Sequence, residues 1–303
     1  MTPQHLVAAI TVNWRRPKET VRCIHSLKNG GIENLRIIVV DNGSGADDVN
    51  YIRNQTPDVE ILVMNSNVGY AKGINAGIVE ASKGNPDYIL VMNNDAYGAP
   101  GFLSRMIEGF RSHPRAGIVG PKILYQDGKT IWYAGGAFNR WFGYSRHLEM
   151  DSEDIGYRED KEVDFVTGCA MLVKREVFDE VGLFDEEYEM YVEDLDLCLR
   201  AQRRGYELWY IPSAIVYHEV SSSLGIAGTN TMTPFKAYRY ARNMFLLIEK
   251  NMMGLKFLTC IIGQFVISLP YFMMLISLQR SEGAHTAYLK GVVCGLKYII
   301  KRR

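Results

Sequence analysis

Four short apolar runs alternate with segments of helical periodicity in the first third of the chain, and this alternation limits the possible folds more than any other feature. The runs cover residues 7–12, 35–40, 60–64 and 88–92. A largely apolar run such as LRIIVV at 35–40 is typical of a strand buried on both faces, as in parallel sheets. Strands that alternate with helices predict an α/β sheet with right-handed crossovers.

A polar residue follows each of these four runs. Asn13, Asp41, Asn67 and Asp95 come directly or shortly after the first, second, third and fourth run. Ligands of such sheets bind beyond the carboxyl ends of the strands, so the four side chains are expected at one edge. Asn and Asp also favour turns, and for any one of them that interpretation stays open. The four together indicate a binding site.

Two of the polar strand ends are candidates for holding a divalent metal ion. Asp95 follows Asn93 and Asn94, and a carboxylate at a buried strand end suits Mg²⁺ or Mn²⁺, which take oxygen ligands and keep positions open for phosphates. His218 ends the last predicted strand and is a candidate second ligand. A purely structural role for His218 remains an alternative.

An acidic cluster opens a predicted helix at 193–204. Glu193, Asp194 and Asp196 lie in its first turn, where acidic side chains offset the helix dipole. Capping of the helix therefore explains the cluster without any chemistry. The alternative is that one of these carboxylates faces the pocket as a general base.

The charge of the chain is divided between two unlike parts. Its formal net charge is zero, but residues 1–233 carry 23 basic and 32 acidic side chains, whereas residues 234–303 carry 11 basic and 2 acidic ones. We therefore predict two parts, a body at 1–233 and a C-terminal extension at 234–303. The first part has no basic stripe, so nucleic acid is not an expected partner. Five scattered cysteines fit a reducing, cytoplasmic compartment.

The extension contains the longest segment without a charge, at 257–279. Lys256 and Arg280 bracket it, and Gly263 and Pro270 interrupt it. Its length is just sufficient for one membrane span, while two interfacial or re-entrant helices and a buried core helix are the alternatives. The basic residues around it suit anionic lipid headgroups. We expect peripheral or integral association with the cytoplasmic face of the cell membrane.

Six motifs in a fixed order resemble the inverting family-2 glycosyltransferases, which have a GT-A fold, and among them a rhamnosyltransferase-like group. They are VDNGS at 40–44, NVGYAKGINAGI at 67–78, NND at 93–95, the segment from DFVTGCAMLV to EDLDLCLRAQRRGY at 164–206, VYHEVSSS at 216–223 and YRYARN at 238–243. The first five motifs lie in the part that the resemblance covers, roughly residues 9–223, and YRYARN is a similar stretch beyond it. The resemblance implies that residues 1–233 are the catalytic domain. It implies a Rossmann-like mixed sheet that binds a nucleotide sugar, followed here by a helical, membrane-associating extension.

The resemblance also implies a role for each candidate residue. Asp95 would be the metal ligand of the family's DxD position and His218 would complete the metal site; the family's first carboxylate is replaced by Asn93. Asp194 would be the catalytic base, with Glu193 beside it. The residues implied in donor binding are Asn13, Asp41, Asn67, Gly69, Asn75, Asn94 and Arg242.

The implied reaction is transfer of L-rhamnose from dTDP-rhamnose to a lipid-linked or polysaccharide acceptor in cell-envelope glycan synthesis. Another donor, UDP-galactofuranose, UDP-glucose or UDP-galactose, is an alternative with the same chemistry. A nucleotide-sugar-binding protein with a decayed site is an alternative of another class. A dinucleotide-dependent oxidoreductase would need a third glycine in the first strand–helix turn, and the sequence has none there.

Overall fold

The computed structural model describes residues 5–156, 158–219 and 231–302. Residues 220–223 of the VYHEVSSS motif and the basic Arg303 lie outside them. The strands are β1 (Val7–Asn13), β2 (Leu35–Asp41), β3 (Glu60–Val63), β4 (Tyr88–Met92), β5 (Ala96–Gly98), β6 (Ala116–Tyr125), β7 (Ile131–Tyr133), β8 (Gly136–Asn139), β9 (Tyr144–His147), β10 (Lys161–Glu162), β11 (Ala170–Lys174) and β12 (Glu207–His218). The helices are α1 (Pro17–Lys28), α2 (Ala46–Gln55), α3 (Tyr70–Ser82), α4 (Phe102–Ser112), α5 (Arg175–Val181), α6 (Glu193–Arg203), α7 (Pro234–Asn251), α8 (Gly254–Gly263), α9 (Leu269–Leu278) and α10 (Ala284–Arg302).

The central sheet is mixed, in the order β10-β12-β6-β11-β4-β1-β2-β3. β4, β1, β2 and β3 are parallel, as the apolar runs predict, and β11 inserts antiparallel between β4 and β6. The predicted α/β fold class is therefore confirmed. In the parallel register Asn13 lies opposite Asp41, so the ends of β1 and β2 meet at one edge.

Helices cover the sheet with the faces that their spacing predicts. In α1, Ile24 and Leu27 are fully buried, and burial of each side chain stabilises the fold by about 1.5–3 kcal/mol. Pro17 occupies the start of the helix, where its missing N–H costs nothing. On α3, Gly77 lies so close to β1 that a Cβ there would be 2.4 Å from Ile10, so the helix can approach the sheet only with glycine at this position.

The structure differs from the expectations in three respects. The strand expected at 163–173 begins at Ala170; residues 163–169 form no continuous strand, and among them Phe165 makes an isolated bridge to Gly136. The two strands expected at 206–211 and 214–217 form the single strand β12, whose register shifts between Ile211 and Ile215 around Pro212. The structure adds α4 and β6, which the sequence patterns did not reveal.

The C-terminal helices pack onto the part of the chain that holds the sheet through α7. One face of α7, including Met244 and Leu247, belongs to the main core, and another face, including Ala241 and Phe245, forms a second core with α9 and α10. At Gly291 of α10 a Cβ would lie 2.4 Å from the backbone of α7, so these helices are in close contact. The division at 233/234 stays a prediction.

The apolar segment forms one continuous helix. α8 and α9 are joined by a π-helical segment, Gln264–Ser268, which ends two residues before Pro270. Proline has no N–H to donate and its ring crowds the preceding turn, and a wider turn accommodates both effects. Among the described residues, this 25-residue helix, Gly254–Leu278, is the one long and apolar enough to cross a membrane, and only 22% of its most apolar window is buried. It is therefore not a core helix.

Candidate active site

The first part of the site is built on the ends of β1 and β2. Asn13 Nδ2 donates to Asp41 Oδ1 at 2.8 Å, and the Ser44 backbone N–H donates to Asp41 Oδ2 at 3.1 Å. Thr20 Oγ1 donates to Asn13 Oδ1 at 2.8 Å, which fixes the orientation of the amide. Asp41 lines a cavity of about 360 Å³ whose other walls include Gly43, Val49, Arg53 and Met64.

Asn67 and Gly69 lie beside this cavity in a small amide network. Asn42 Nδ2 donates to Asn67 Oδ1 at 3.2 Å and to the Gly69 carbonyl at 3.1 Å, and Val68 N–H donates to Asn42 Oδ1 at 3.0 Å. Gly69 has φ of +89°, a conformation that favours glycine, and it precedes the first turn of α3. Asn42 was not singled out from the sequence.

Three predicted donor-binding residues have protein partners. Asn75 Nδ2 donates to the Phe184 carbonyl at 2.8 Å and its Oδ1 accepts the Phe184 N–H at 3.1 Å. Asn94 Nδ2 donates to Thr20 Oγ1 at 3.1 Å. Arg242 Nη1 donates to Asn243 Oδ1 at 3.0 Å. The structure thus gives Asn75 a role in holding the segment before residue 185, and its predicted contact with the donor stays a prediction.

Asp95 and His218 form the second part of the site. β5 pairs with the end of β12, with His218 opposite Ala96, and this pairing brings His218 Nε2 to 3.2 Å from Asp95 Oδ1. The ring of Trp132 packs edge-on against His218 at 4.6 Å. Burial lowers the pKa of His218, but the Cys169 sulfur and the Asp95 carboxylate raise it more, to about 10. The buried Nδ1 of His218 has no hydrogen-bond partner among the described residues.

Glu193 and Asp194 form the third part, at the first turn of α6. Asp194 Oδ2 accepts the Gly168 N–H at 2.8 Å and Oδ1 accepts the Leu195 N–H at 2.8 Å. Burial raises the pKa of Asp194, and these donors oppose the rise because they favour the charged form. Burial and the Asp194 charge raise the pKa of Glu193 to about 8, and its buried Oε2 has no partner in the described chain. Both causes favour the protonated form of Glu193.

Tyr70 shows that these acidic groups converge. Burial raises the pKa of its phenol far above the ordinary value, and the charges of Glu193, Asp194 and Asp95 add to the rise. The neutral hydroxyl donates to Asn93 Oδ1 at 3.0 Å. The amide that replaces the first carboxylate of DxD is thus the acceptor of this hydrogen bond.

A strained segment leads into the acidic pair. Glu189, Tyr191 and Val192 have φ of +62°, +69° and +76°. For residues with a side chain this conformation costs about 1–3 kcal/mol each, so the surrounding structure must hold it. Asn243 of α7 does so through contacts of its Nδ2 with the carbonyls of residues 188, 190 and 191, at 2.8–2.9 Å. Sequence reasoning missed this role, although Asn243 ends the YRYARN motif.

The geometry agrees with the comparison with known families. The model of Glycosyl transferase family 2 matches residues 8–182, more than half of the chain. The chain belongs to this family. The matched region contains the ends of β1, β2 and β4 and therefore Asn13, Asp41 and Asp95, while Asp194 and His218 follow it.

Characterised relatives and a solved structure are consistent with this family. The chain is 27% identical to the N-acetylglucosaminyl-diphospho-decaprenol L-rhamnosyltransferase of Mycobacterium tuberculosis, over 73% of this chain and 78% of the relative. It is 25% identical to the dTDP-rhamnosyl transferase RfbF of Shigella flexneri, over 82% of each protein. The mannosyltransferase PcManGT of Pyrobaculum calidifontis, solved with GDP-Man and Mn²⁺, matches with a TM-score of 0.59 at 11% identity, over 100% of this chain and 89% of that one. The family-2 chain therefore has the GT-A fold.

Proposed function

We propose that this glycosyltransferase moves L-rhamnose from dTDP-rhamnose to a hydroxyl group of a lipid-linked or polysaccharide acceptor, with inversion at the anomeric carbon. The observation that carries the proposal is a chain of contacts between three groups. Asn13 and Thr20 link Asp41 to Asn94, which precedes Asp95 of the Asp95–His218 pair. The Tyr70 hydroxyl lies 3.0 Å from Asn93 Oδ1 and 3.5 Å from the carbonyl of Gly168, whose N–H donates to Asp194. Two relatives named as rhamnosyltransferases support the choice of sugar.

The Asp95–His218 pair fits a divalent cation. Adjacent ligands of an octahedral ion at 2.0–2.2 Å lie about 3 Å apart, and the two atoms are separated by 3.2 Å. No group of three or more His, Cys, Asp and Glu side chains suited to a metal occurs in the described part of the chain. Two protein ligands leave room for phosphate oxygens, which is typical of Mg²⁺ and Mn²⁺. Such an ion would neutralise charge on the leaving diphosphate.

We propose that Asp41 recognises a pyrimidine base. Uracil and thymine present a ring N–H donor, and a carboxylate held by Asn13 and Ser44 presents a fixed acceptor. The aliphatic walls of the cavity, including Val49 and Met64, suit the faces of a planar ring. A dTDP- or UDP-sugar satisfies both features.

Asp194 is the proposed general base. The acceptor hydroxyl loses its proton to a carboxylate oxygen of Asp194 as its oxygen bonds to the anomeric carbon, while the bond from that carbon to the diphosphate oxygen breaks. The Gly168 and Leu195 N–H groups keep the carboxylate charged and oriented. Attack opposite the leaving group inverts the anomeric centre in one displacement, so no covalent intermediate is needed.

We also propose that the extension associates with a membrane surface, where a lipid-linked acceptor resides. The exposed apolar helix Gly254–Leu278 and the basic residues around it support this, as does the decaprenol-linked substrate in the name of one relative. Vesicle binding, described with the orientation of this helix below, tests the association.

A panel of nucleotide sugars tests the donor. We expect dTDP-rhamnose to raise the melting temperature more than UDP-galactofuranose, UDP-glucose or UDP-galactose does, because binding to the folded state alone stabilises it. With Mn²⁺ and a lipid-linked acceptor, dTDP-rhamnose should give a product of inverted configuration, as seen by NMR. If a UDP-sugar raises the melting temperature more than dTDP-rhamnose does, that UDP-sugar is the donor instead. Stabilisation without transfer to any acceptor would favour a binding protein with a decayed site.

A further inference from the structure

The helix Gly254–Leu278 has its polar side turned inward and its apolar side turned outward. Its buried residues include Cys260, Gly263, Gln264 and Ser268. Its exposed residues include Leu255, Leu258, Ile262, Val266, Tyr271 and Leu278. A surface helix in water has the opposite arrangement. A continuous apolar face of this kind marks an interaction surface.

The β8–β9 hairpin of the catalytic part extends this apolar face. Gln264 Nε2 donates to the Gly143 carbonyl at 2.6 Å, and a Cβ on Gly263 would lie 2.2 Å from the Phe142 carbonyl oxygen, so the hairpin packs directly on the middle of the helix. Trp141 and Phe142 at the hairpin tip are about half exposed. Lys256 Nζ lies 5.4 Å from the centre of the Trp141 ring.

We propose that this helix lies in the plane of an anionic bilayer surface, with Trp141 and Phe142 inserted beside it, and that it does not cross the bilayer. The inference rests on the membrane association proposed above and adds its orientation. Trp and Lys are suited to the membrane–water interface, and Lys256 and Arg280 flank the two ends of the helix. The positive charge of the extension complements anionic headgroups.

The packing of the extension opposes a crossing orientation. Phe272 of α9 lies between Tyr240 of α7 at 5.0 Å and Tyr288 of α10 at 5.2 Å. A helix that crossed the bilayer would carry α7, α10 and the hairpin into the hydrocarbon with it. Charged residues on these elements, including Arg140 and Lys297, would then lose water, which is costly. The in-plane orientation leaves them in water.

Binding to vesicles gives the first test. The full chain should sediment with vesicles that contain phosphatidylglycerol, and Trp141→Ala should weaken this binding about tenfold, since a large aromatic side chain leaves the interface. Tyr51→Ala, at an exposed aromatic residue of α2, is the control and should bind normally. Failure of the unmodified chain to bind would remove the membrane association itself. Normal binding of Trp141→Ala would exclude the hairpin from the surface.

Labelling of cysteines on sealed vesicles tests the orientation. In a Cys294→Ser background, Glu282→Cys lies just beyond the helix and Lys83→Cys lies on α3's C-terminal side in the catalytic part. With protein added from outside, an impermeant maleimide should label both to the same extent. Protection of Glu282→Cys until detergent is added would show that the helix crosses the bilayer and would overturn the in-plane orientation.

A second, independent observation concerns Asn243. Its amide nitrogen faces three carbonyl groups of the strained segment that ends at Val192, and the side chain is fully buried. Ion pairs also connect α7 to residues 185–189: Arg239 pairs with Glu189, and Lys250 pairs with Asp185 and Glu187. On the other side, the Glu189 carbonyl accepts the Ala71 N–H at 3.0 Å. The segment therefore joins the first turn of α3 to the extension.

We infer that Asn243 is a positioning residue for the proposed base Asp194. Helix α6 begins at Glu193, directly after the strained segment, so its first turn follows any shift of Val192. The Asn243 amide supplies N–H donors to the carbonyls that converge at this point. The extension is then required for sugar transfer as well as for membrane binding. This inference rests on the proposed function.

Matched asparagine variants on α7 test the inference. Asn243→Ala and Asn243→Asp should each lower kcat about 100-fold, because a displacement near 1 Å of a catalytic group has that effect, with the donor KM nearly unchanged. Asn251→Ala removes an amide that bonds to Asp196 of α6 and should change kcat little. The inference would be contradicted if the Asn243 variants lowered kcat no more than Asn251→Ala does, or if they raised the donor KM by as large a factor as they lowered kcat.

Hydrogen exchange gives a readout that does not depend on sugar transfer. In Asn243→Ala, the amides of residues 188–196 should exchange faster, whereas those of the central strands should not change. If the unmodified chain transfers no sugar while this exchange still accelerates, the proposed function fails and the role of Asn243 in the segment stands. Unchanged exchange at 188–196 would overturn that role.

Discussion

Asp194→Asn should lower kcat about 10²–10⁴-fold, the contribution expected of a general base, while the affinity for the donor stays nearly the same. The amide is close in size to the carboxylate, and its oxygen can still accept the Gly168 N–H. It cannot take a proton from the acceptor hydroxyl. Steady-state kinetics with saturating dTDP-rhamnose and calorimetry with dTDP separate the two effects.

Glu193→Gln is the matched control for this substitution. Burial and the neighbouring charge raise the pKa of Glu193, which favours its neutral form, and glutamine resembles that form in size and charge. Its effect on kcat should therefore be much smaller than that of Asp194→Asn. If Asp194→Asn retains near-normal turnover and Glu193→Gln does not, Glu193 is the base instead.

The sequence predicted the parallel half of the sheet because local and tertiary preferences agree there. The runs that became β1, β2 and β4 are apolar on both faces, and a polar residue follows each of them. β6 was missed because Gly117, Gly120 and Pro121 lie within it, and these residues usually mark turns. The two glycines are required here by tertiary packing, because a Cβ on Gly117 would contact Tyr206 and one on Gly120 would contact Val166.

The positions of several candidate residues in the fold were predictable from the sequence, but the contacts between them were not. Strand ends located Asn13, Asp41 and Asp95, since their position follows from the sheet. The contacts of Asn243 with the segment before Asp194 could not be predicted from the sequence, because they join positions far apart in the chain. They also depend on backbone conformations at Tyr191 and Val192 that L-residues rarely adopt.

The division of charge has a further meaning in the structure. Some of the extension's positive charge pairs within the protein: Lys250 pairs with Asp185 and Glu187, and Arg239 pairs with Glu189. Ion pairs between the acidic body and the basic extension therefore join the two regions at the segment before the proposed base. Lys256 and Arg280, at the ends of the apolar helix, remain suited to anionic headgroups.

Asp95→Ala should abolish the stimulation of donor binding by Mn²⁺ and lower kcat about 10²–10³-fold, because the charge that develops on the leaving diphosphate loses its stabilisation. Asp95 and His218 supply the oxygen and the nitrogen of the proposed ion site, and His218 alone is a weak ligand for Mn²⁺ or Mg²⁺. Calorimetry with dTDP in the presence and absence of Mn²⁺ measures the effect. Asp87→Ala, at the opposite end of β4, removes an exposed carboxylate and is the control. Equal Mn²⁺-dependent binding by Asp95→Ala and the unmodified chain would exclude Asp95 from the ion site.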